Sequence, residues 1–511
     1  MKKTMISFQY RWIGLIFICI SLLVVSMNDT ILNVSLPVIA KALNASTKDL
    51  QWVGDAYILV FASLLLTMGT LSDRFGRKLF LQIGVILFSV FSIVAAVSTS
   101  IQLVIFARAL QGIGGAIIMP STLSMISTVF KESKEKAKAI AIWNAMFGLG
   151  IGIGPLIGGG LLEVPWLDWR SVFVINIPFA VVALIGVSLF LPESKDKLSK
   201  KPDIPGVVLS SCGLFFLVFA IIEAGERGWG NGFVFWGLIA AVFCIGMFLW
   251  WESKTKNAML PLAFFKNRTF SGANITLMMS LFSIMGLMFF LPQYFQGVQN
   301  LSPVQTAIRL VPQGIISILV SANSHQVITR FGIKKSVTFG FLFGAIGLFF
   351  LYWVLSINTS YWLILIGIAL CFLGMDTAMP ASTIAIMEAV PESKAGIGSA
   401  MNEMTGQIGS ALGIAVMGST LNSAYLRKTG EMQITIGTEL YEIVSNGIFS
   451  AQRALQINTL PSLEALDKIV KQAFVYGLKE TFLTSVVILV FFGIFIYFFL
   501  PNVINKINED F

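Results

Sequence analysis

The segment Met27-Asn28-Asp29-Thr30-Ile31-Leu32-Asn33-Val34-Ser35-Leu36-Pro37 closes an apolar run that begins near Trp12. A run of that length crosses the ~30 Å hydrocarbon core of a bilayer as a single helix. Asp29 sits inside the run, not at its edge. Holding a carboxylate at that depth costs about 2.5–3.5 kcal/mol on insertion scales. Such a residue reads as functional, with a partner or a water-filled cavity beside it. The competing reading is a carboxylate satisfied by Thr30 and Asn33 for packing alone.

Composition extends this reading to the whole chain. Of its 511 residues 56% are hydrophobic and 12% charged, and mean hydropathy is +0.83. A soluble domain does not combine so little charge with so many long apolar runs. The chain is expected to be an all-α polytopic membrane protein. The net charge of +9 is no sign of a nucleic-acid partner, because the basic residues fall in short loops between apolar runs, where they report topology. Lys2, Lys3 and Arg11 precede the first run, but no small-residue cleavage site follows, so it reads as a retained helix. The four cysteines, Cys19, Cys212, Cys244 and Cys371, lie within apolar runs and read as small buried side chains. His325, the one histidine, cannot build a metal site alone. No Gly-x-x-x-x-Gly-Lys-Ser/Thr segment occurs, which argues against an ATP-driven pump in this chain.

Hydropathy predicts about fourteen spans. With the N-terminus inside, the inner loops carry Arg74, Arg77 and Lys78, then Lys131 to Lys138, Lys195 to Lys201, Lys254 to Arg268, and Arg330 to Lys335. The short outer loops carry little beyond Lys41, Lys48, Arg170 and Arg227. By the positive-inside rule both termini are cytoplasmic. A long outer loop is expected at about 422–480, with a small hairpin near 433–436 and an interfacial helix over 462–476.

The chain also repeats itself at a shift of roughly 255–260 residues. Leu36-Pro37 matches Leu291-Pro292. Arg74-Phe75-Gly76 matches Arg330-Phe331-Gly332. Met119-Pro120 matches Met379-Pro380. Three matches in one order imply two equivalent six-span halves, 1–200 and 257–511, with two spans inserted at 201–256. Parallel six-span repeats, with the site where they meet near the midplane, are a transporter architecture.

Several motifs point further. Gly69-Thr70-Leu71-Ser72-Asp73-Arg74-Phe75-Gly76-Arg77-Lys78 resembles the inner-loop signature of the major facilitator superfamily. Arg108, in Arg108-Ala109-Leu110-Gln111-Gly112, looks like that family's second signature. Gly150, Gly154, Pro155, Gly158 and Gly159 resemble the glycine-rich signature of its antiporter branch, with a weaker echo at Gly406, Gly409 and Gly413. The opening segment, with Trp169-Arg170, Asn176 and Pro178, is similar to the fourteen-helix drug:proton antiporters, exporters of quaternary ammonium compounds among them. The resemblance implies a major facilitator fold of fourteen helices arranged as 6 + 2 + 6, in the cell membrane. It also implies that Asp73 meets the other half in one conformation, and that the glycine-rich helix is tied to exchange. Independently, small residues at that spacing allow close helix approach.

Asp29 and Arg108 are the leading candidates for proton coupling or substrate binding, with Asp55, Asp376 and Glu403 beside them. Asp55 lies about 12 Å along its helix from Ser46 or Thr47, too deep for a dipole contact. Glu223 and Glu388, near span ends, read as solvated. The expected activity is export of lipophilic cations in exchange for protons, with no cofactor and no enzymatic step. A dedicated exporter of an endogenous metabolite or lipid, and a proton symporter for uptake, are the alternatives.

Overall fold

The structure, a computed structural model, describes residues 10–195, 203–255, 262–391, 395–430, 441, 444–457 and 463–501, and no strand occurs among them. The expected hairpin at 433–436 and the side chain of His325 lie outside the described residues. The first helices are α1 Arg11–Leu43, α2 Thr47–Phe75, α3 Arg77–Ala96, α4 Ile101–Val129, α5 Ser133–Glu163 and α6 Ser171–Phe190. Next come α7 Ile204–Arg227, α8 Gly232–Lys254 and α9 Arg268–Gln293. The run Pro303–Val354 is broken at Gly332 into α10 (303–331) and α11 (333–354). It is followed by α12 Tyr361–Ala389, α13 Ala395–Gly430, α14 Ile448–Ile457 and α15 Leu463–Phe499.

Among the described residues twelve helices are long and apolar enough to cross a membrane, or thirteen if the bent pair Thr47–Leu65 and Thr67–Phe75 is one span. The helix expected over 395–421 forms, as α13, but is not one of these. It carries Asn402, Glu403, Thr405, Gln407 and Ser410 within three turns, and those side chains face an internal cavity or neighbouring helices. The connection expected over 422–480 is shorter, because α13 continues to Gly430 and the last helix already begins at Leu463. The expected interfacial helix is the first part of α15.

The repeat is visible in the backbone. Pro37 and Pro292 lie inside α1 and α9, and Pro120 and Pro380 inside α4 and α12. Gly76 (φ 133°) and Gly332 (φ 77°) each turn the chain from the second to the third helix of a half. Side chains with a Cβ avoid that region of φ, so both turns need glycine. Packing repeats too. Helix α1 lies on α5 and α6, and α3 on α4 and α6; likewise α9 lies on α13 and α15, and α11 on α12 and α15. The two halves meet through α2 against α13 and α5 against α10.

The glycine stripe of α5 sets how closely α1 can approach. A Cβ at Gly150 would meet Ser26, one at Gly154 would meet Thr30 Oγ1 and the Met27 carbonyl, and one at Gly158 would meet Ile31. Gly159 instead faces Pro303, Val304 and Ala307 of α10, so this pair of adjacent glycines touches both halves. Pro155 lies inside the helix between them. Gly409 and Gly413 of α13 sit against the Met278 and Phe282 carbonyls of α9 in the same way. Gly154→Leu is expected to push α5 off α1 and break the bond from Thr30 Oγ1 to the Ile151 carbonyl (3.0 Å). Overpacking of this kind costs about 1–3 kcal/mol, a fall of roughly 1–3 °C in melting temperature for a chain of this length. Gly152 has open space beside it, so Gly152→Leu should leave the melting temperature of the purified protein nearly unchanged.

At the end of the molecule opposite the Gly76 turn the halves are sealed. Gln296 Nε2 donates to the Val34 carbonyl (2.8 Å), and the segment before and through α14 binds both halves: Thr47 N donates to the Asn446 carbonyl (3.1 Å), and Gln452 Nε2 to the Gly297 carbonyl (2.6 Å). Glu223, expected to be solvated, is only 4% exposed. It is held by Lys48 of α2 and by Arg227 Nε at 2.6 Å, which ties α7 to the first half. Toward the Gly76 end α5 and α10 part: Gly148 and Gly152 on one and Gly314 on the other face open space, and Ile315, Ile318 and Leu319 are exposed.

Candidate functional site

A cavity of about 200 Å³ lies between the halves. Helices α1, α2, α4 and α5 form one wall and α9, α12 and α13 the other. Its apolar lining includes Phe147 and Ile151 from the first half and Leu277, Leu281 and Met285 from the second.

Asp29 projects into it between Thr30 and Asn33, because α1 turns this face inward where the α5 glycines let it lie close. Its Oδ1 is buried and has no hydrogen-bond partner among the described residues. Arg108, from α4, is 2% exposed. Its Nε donates to the Val53 carbonyl (3.1 Å) and its Nη1 to Gln111 Oε1 (3.1 Å). The guanidinium carbon lies 4.3 Å from the centre of the Tyr57 ring, a cation–π contact that adds to holding the charge in an apolar place. Arg108, and Glu403 from the other half, are the charged groups whose fields reach Asp29.

Behind Arg108 runs a buried polar chain. Gln111 Nε2 donates to Ser92 Oγ (2.8 Å), and Asn176 Nδ2 donates to Ser92 Oγ (3.3 Å) and to Asn28 Oδ1 (3.5 Å). It links α4, α3, α6 and α1 and ends on the residue next to Asp29. Of its members, Asn28, Gln111 and Asn176 stand in segments quoted from the sequence, though none is assigned a role there. Ser92 is an isolated polar residue in an apolar run, and no periodicity marks it.

From the second half, α13 brings Asn402, Glu403, Gln407 and Ser410 to the cavity. Gln407 Nε2 donates to Glu403 Oε1 (3.2 Å), and Thr383 Oγ1 of α12 donates to Asn402 Oδ1 (3.1 Å). The polar stripe at 403, 407 and 410 has helical spacing and was the missed signal for this wall.

The other two candidate acids are placed elsewhere. Asp55 is fully buried on α2, with neither carboxylate oxygen hydrogen-bonded among the described residues, and it does not line the cavity. Asp376, 8% exposed, accepts from Ser317 Oγ at 2.5 Å and so joins α12 to α10 outside the cavity. The five candidates thus separate into a group of three, Asp29, Arg108 and Glu403, and two isolated carboxylates, because helix rotation decides which face a residue presents.

The inner-loop motif is gathered within the first half. Asp73 Oδ1 accepts from Arg77 Nε (2.7 Å), and Arg77 Nη1 donates to Thr128 Oγ1 (2.5 Å). Lys78 Nζ donates to the Ser188 and Leu191 carbonyls (2.7 and 2.8 Å). Gly69 lies against Pro120, and Arg74 is exposed over the Phe75 ring. Among the described residues no hydrogen bond or ion pair carries Asp73 to the second half, in keeping with the separation of the halves at this end.

Residues 18–414 match the profile of the Major Facilitator Superfamily. The chain belongs to that superfamily. It is 32% identical over 421 residues to the tetracenomycin C resistance and export protein of Streptomyces glaucescens, covering 81% of this chain and 76% of that one. It is 27% identical over 469 residues to the methyl viologen resistance protein SmvA of Salmonella typhimurium, covering 91% and 94%. Among solved structures, a bacterial homologue of the human lysosomal transporter Spinster, crystallised inward-facing and unoccupied, superimposes with a TM-score of 0.67 over 96% of both chains at 16% identity. The major facilitator fold is therefore shared, the chain is a multi-pass membrane transporter and not an enzyme, and its relatives are named for drug resistance and export.

Proposed function

We propose that this major facilitator exports lipophilic cations in exchange for protons, and that Asp29 is the group over which the two compete. The observation that carries this reading is a carboxylate oxygen without a partner, in a cavity both halves line, facing Glu403 across apolar walls. Two carboxylates among Leu, Met and Phe side chains suit a ligand that is cationic and hydrophobic together. The name of the methyl viologen resistance relative supports the same class.

The coupling is a matter of exclusion. A carboxylate withdrawn from water binds a proton more readily than one in water. It cannot hold that proton and pair with a cation at once. Alternating exposure of the site to the two sides then converts proton entry into cation exit. Arg108, fixed by Val53, Gln111 and Tyr57, places a permanent positive charge in the same cavity. We place the N-terminus in the cytoplasm, so the open end here is the inner one. In the full cycle Asp73 engages the second half when that end closes. We read the arrangement as fourteen helices in 6 + 2 + 6 order, with α13 as a polar-faced span.

The direct test is a reconstituted vesicle with an imposed pH gradient. Methyl viologen is expected to move opposite to protons, and its addition to de-energised protein should release protons. Movement with the gradient would mean uptake, and indifference to every cation in a compound panel would shift the reading to a dedicated exporter. Glu403→Gln is expected to weaken dication binding about tenfold and monocation binding about twofold, since one charged contact is worth roughly 1.5–3 kcal/mol. Equilibrium binding of methyl viologen and ethidium measures both.

A further inference from the structure

A second cavity, of about 320 Å³, lies on the far side of the α9–α13 wall, toward the Gly76 end. It opens where α7 leaves the groove between α2 and α13. Farther from that end the three helices close together: Val218 and Ile222 of α7 pack with Leu59 of α2 and Ala411 and Ala415 of α13. Nearer that end, Leu214 of α7, Phe248 of α8, Met278 of α9 and Met404 of α13 line open space.

Two observations identify the occupant. First, the chamber asks for no polar ligand. Each of its five polar side chains already has a partner: Ser63 to the Leu59 carbonyl (2.7 Å), Ser210 to the Val207 carbonyl (3.0 Å), Ser271 to the Phe265 carbonyl (2.6 Å), and Thr405 to Asn274 (2.9 Å), whose amide donates to the Phe270 carbonyl (2.8 Å). An apolar space that water does not favour, at membrane depth, is filled by hydrocarbon. Second, its mouth is cationic. Lys266 directly follows Phe265 of the lining, and Lys254 lies roughly 7 Å beyond Leu249 along α8, while Arg268 is turned to the Phe499 ring of α15, 5.9 Å away. All three are exposed. Two of the acids at this end, Asp203 and Glu252, are buried, at 6% and 4% exposure, and Asp203 accepts from Trp251 Nε1 at 2.8 Å, whereas Glu388 of α12 is exposed.

We propose that the chamber holds one acyl chain of an anionic phospholipid, with the phosphate resting on Lys254 and Lys266. The chain wedges the inserted α7–α8 pair against α2 and α13, and it stands independently of which compound the central cavity carries. Basic residues at the surface concentrate anionic lipid there.

The experiment uses the full-length protein in nanodiscs of phosphatidylcholine doped with a phosphatidylglycerol that carries a mid-chain diazirine, followed by photolysis and peptide mapping. Label is expected on the peptides containing Leu214, Met278 and Met404, and about fivefold more than with the matching phosphatidylcholine probe. Leu214→Trp with Met404→Trp, which together narrow the chamber, should remove most of that label and leave label elsewhere on the protein unchanged. Lys254→Ala with Lys266→Ala, both on the exposed surface, should erase the preference for phosphatidylglycerol. Equal labelling by the two lipids, or label that persists in Leu214→Trp with Met404→Trp, would overturn the assignment. So would loss of the label on adding saturating ethidium, which would give the chamber to the exported compound.

Discussion

Asp29→Asn is expected to abolish proton-coupled export while the protein still accumulates, folded, in the membrane. Asparagine keeps the shape and the hydrogen-bonding capacity of the side chain but can neither carry a charge nor bind a proton at neutral pH. Coupling energies between two ligands typically amount to about 1–3 kcal/mol, or 5–150-fold, and the whole of that term should vanish. In the wild type, cation binding should weaken by up to about tenfold per pH unit as the medium is acidified, because one proton displaces one cation. In the variant the profile should be flat. Proton release from detergent-solubilised protein on adding methyl viologen reads this directly. Release equal to the wild type's would remove Asp29 from the mechanism and leave Glu403 as the exchanging group.

Arg108→Leu should also eliminate transport, and for a separable reason. The substitution removes the bonds to Val53 and Gln111 and the contact with Tyr57. It also leaves Asp29 without the nearest cation that acts on it. Stripping one member from a buried charged group costs about 3–5 kcal/mol. Part of that falls on stability, but the signature is functional: cation binding should lose its dependence on pH although the Asp29 side chain is still present. Arg108→Lys should not restore activity, since an ammonium cannot direct two divergent bonds and lie flat on a ring. Restoration by lysine would mean that Arg108 supplies charge alone.

How far the chain could be read without its fold depends on the kind of information asked for. Spans were legible, because the bilayer imposes a length and a polarity that every crossing helix obeys. The repeat was legible too, since Pro37 and Pro292, and Gly76 and Gly332, mark the same backbone events in each half. Helix α13 was harder. Its polar stripe lowers the hydropathy that announces a span, although that same stripe forms half of the cavity. The connection after α13 was drawn too long, because polar residues at 422–430 and 463–480 read as loop where tertiary contacts continue the helices.

By itself, then, the sequence determined that this is a membrane protein, that it is built from two like halves, and that Asp29 and Arg108 are buried charges demanding an explanation. These follow from local composition and spacing, which each residue carries with it. Only the tertiary structure decided that Asp29, Arg108 and Glu403 share one cavity while Asp55 and Asp376 stand apart, and that Asp73 pairs with Arg77 inside the first half while its end is open. Those depend on how each helix is rotated and on how far two bundles have tilted, quantities set by packing between segments hundreds of residues apart.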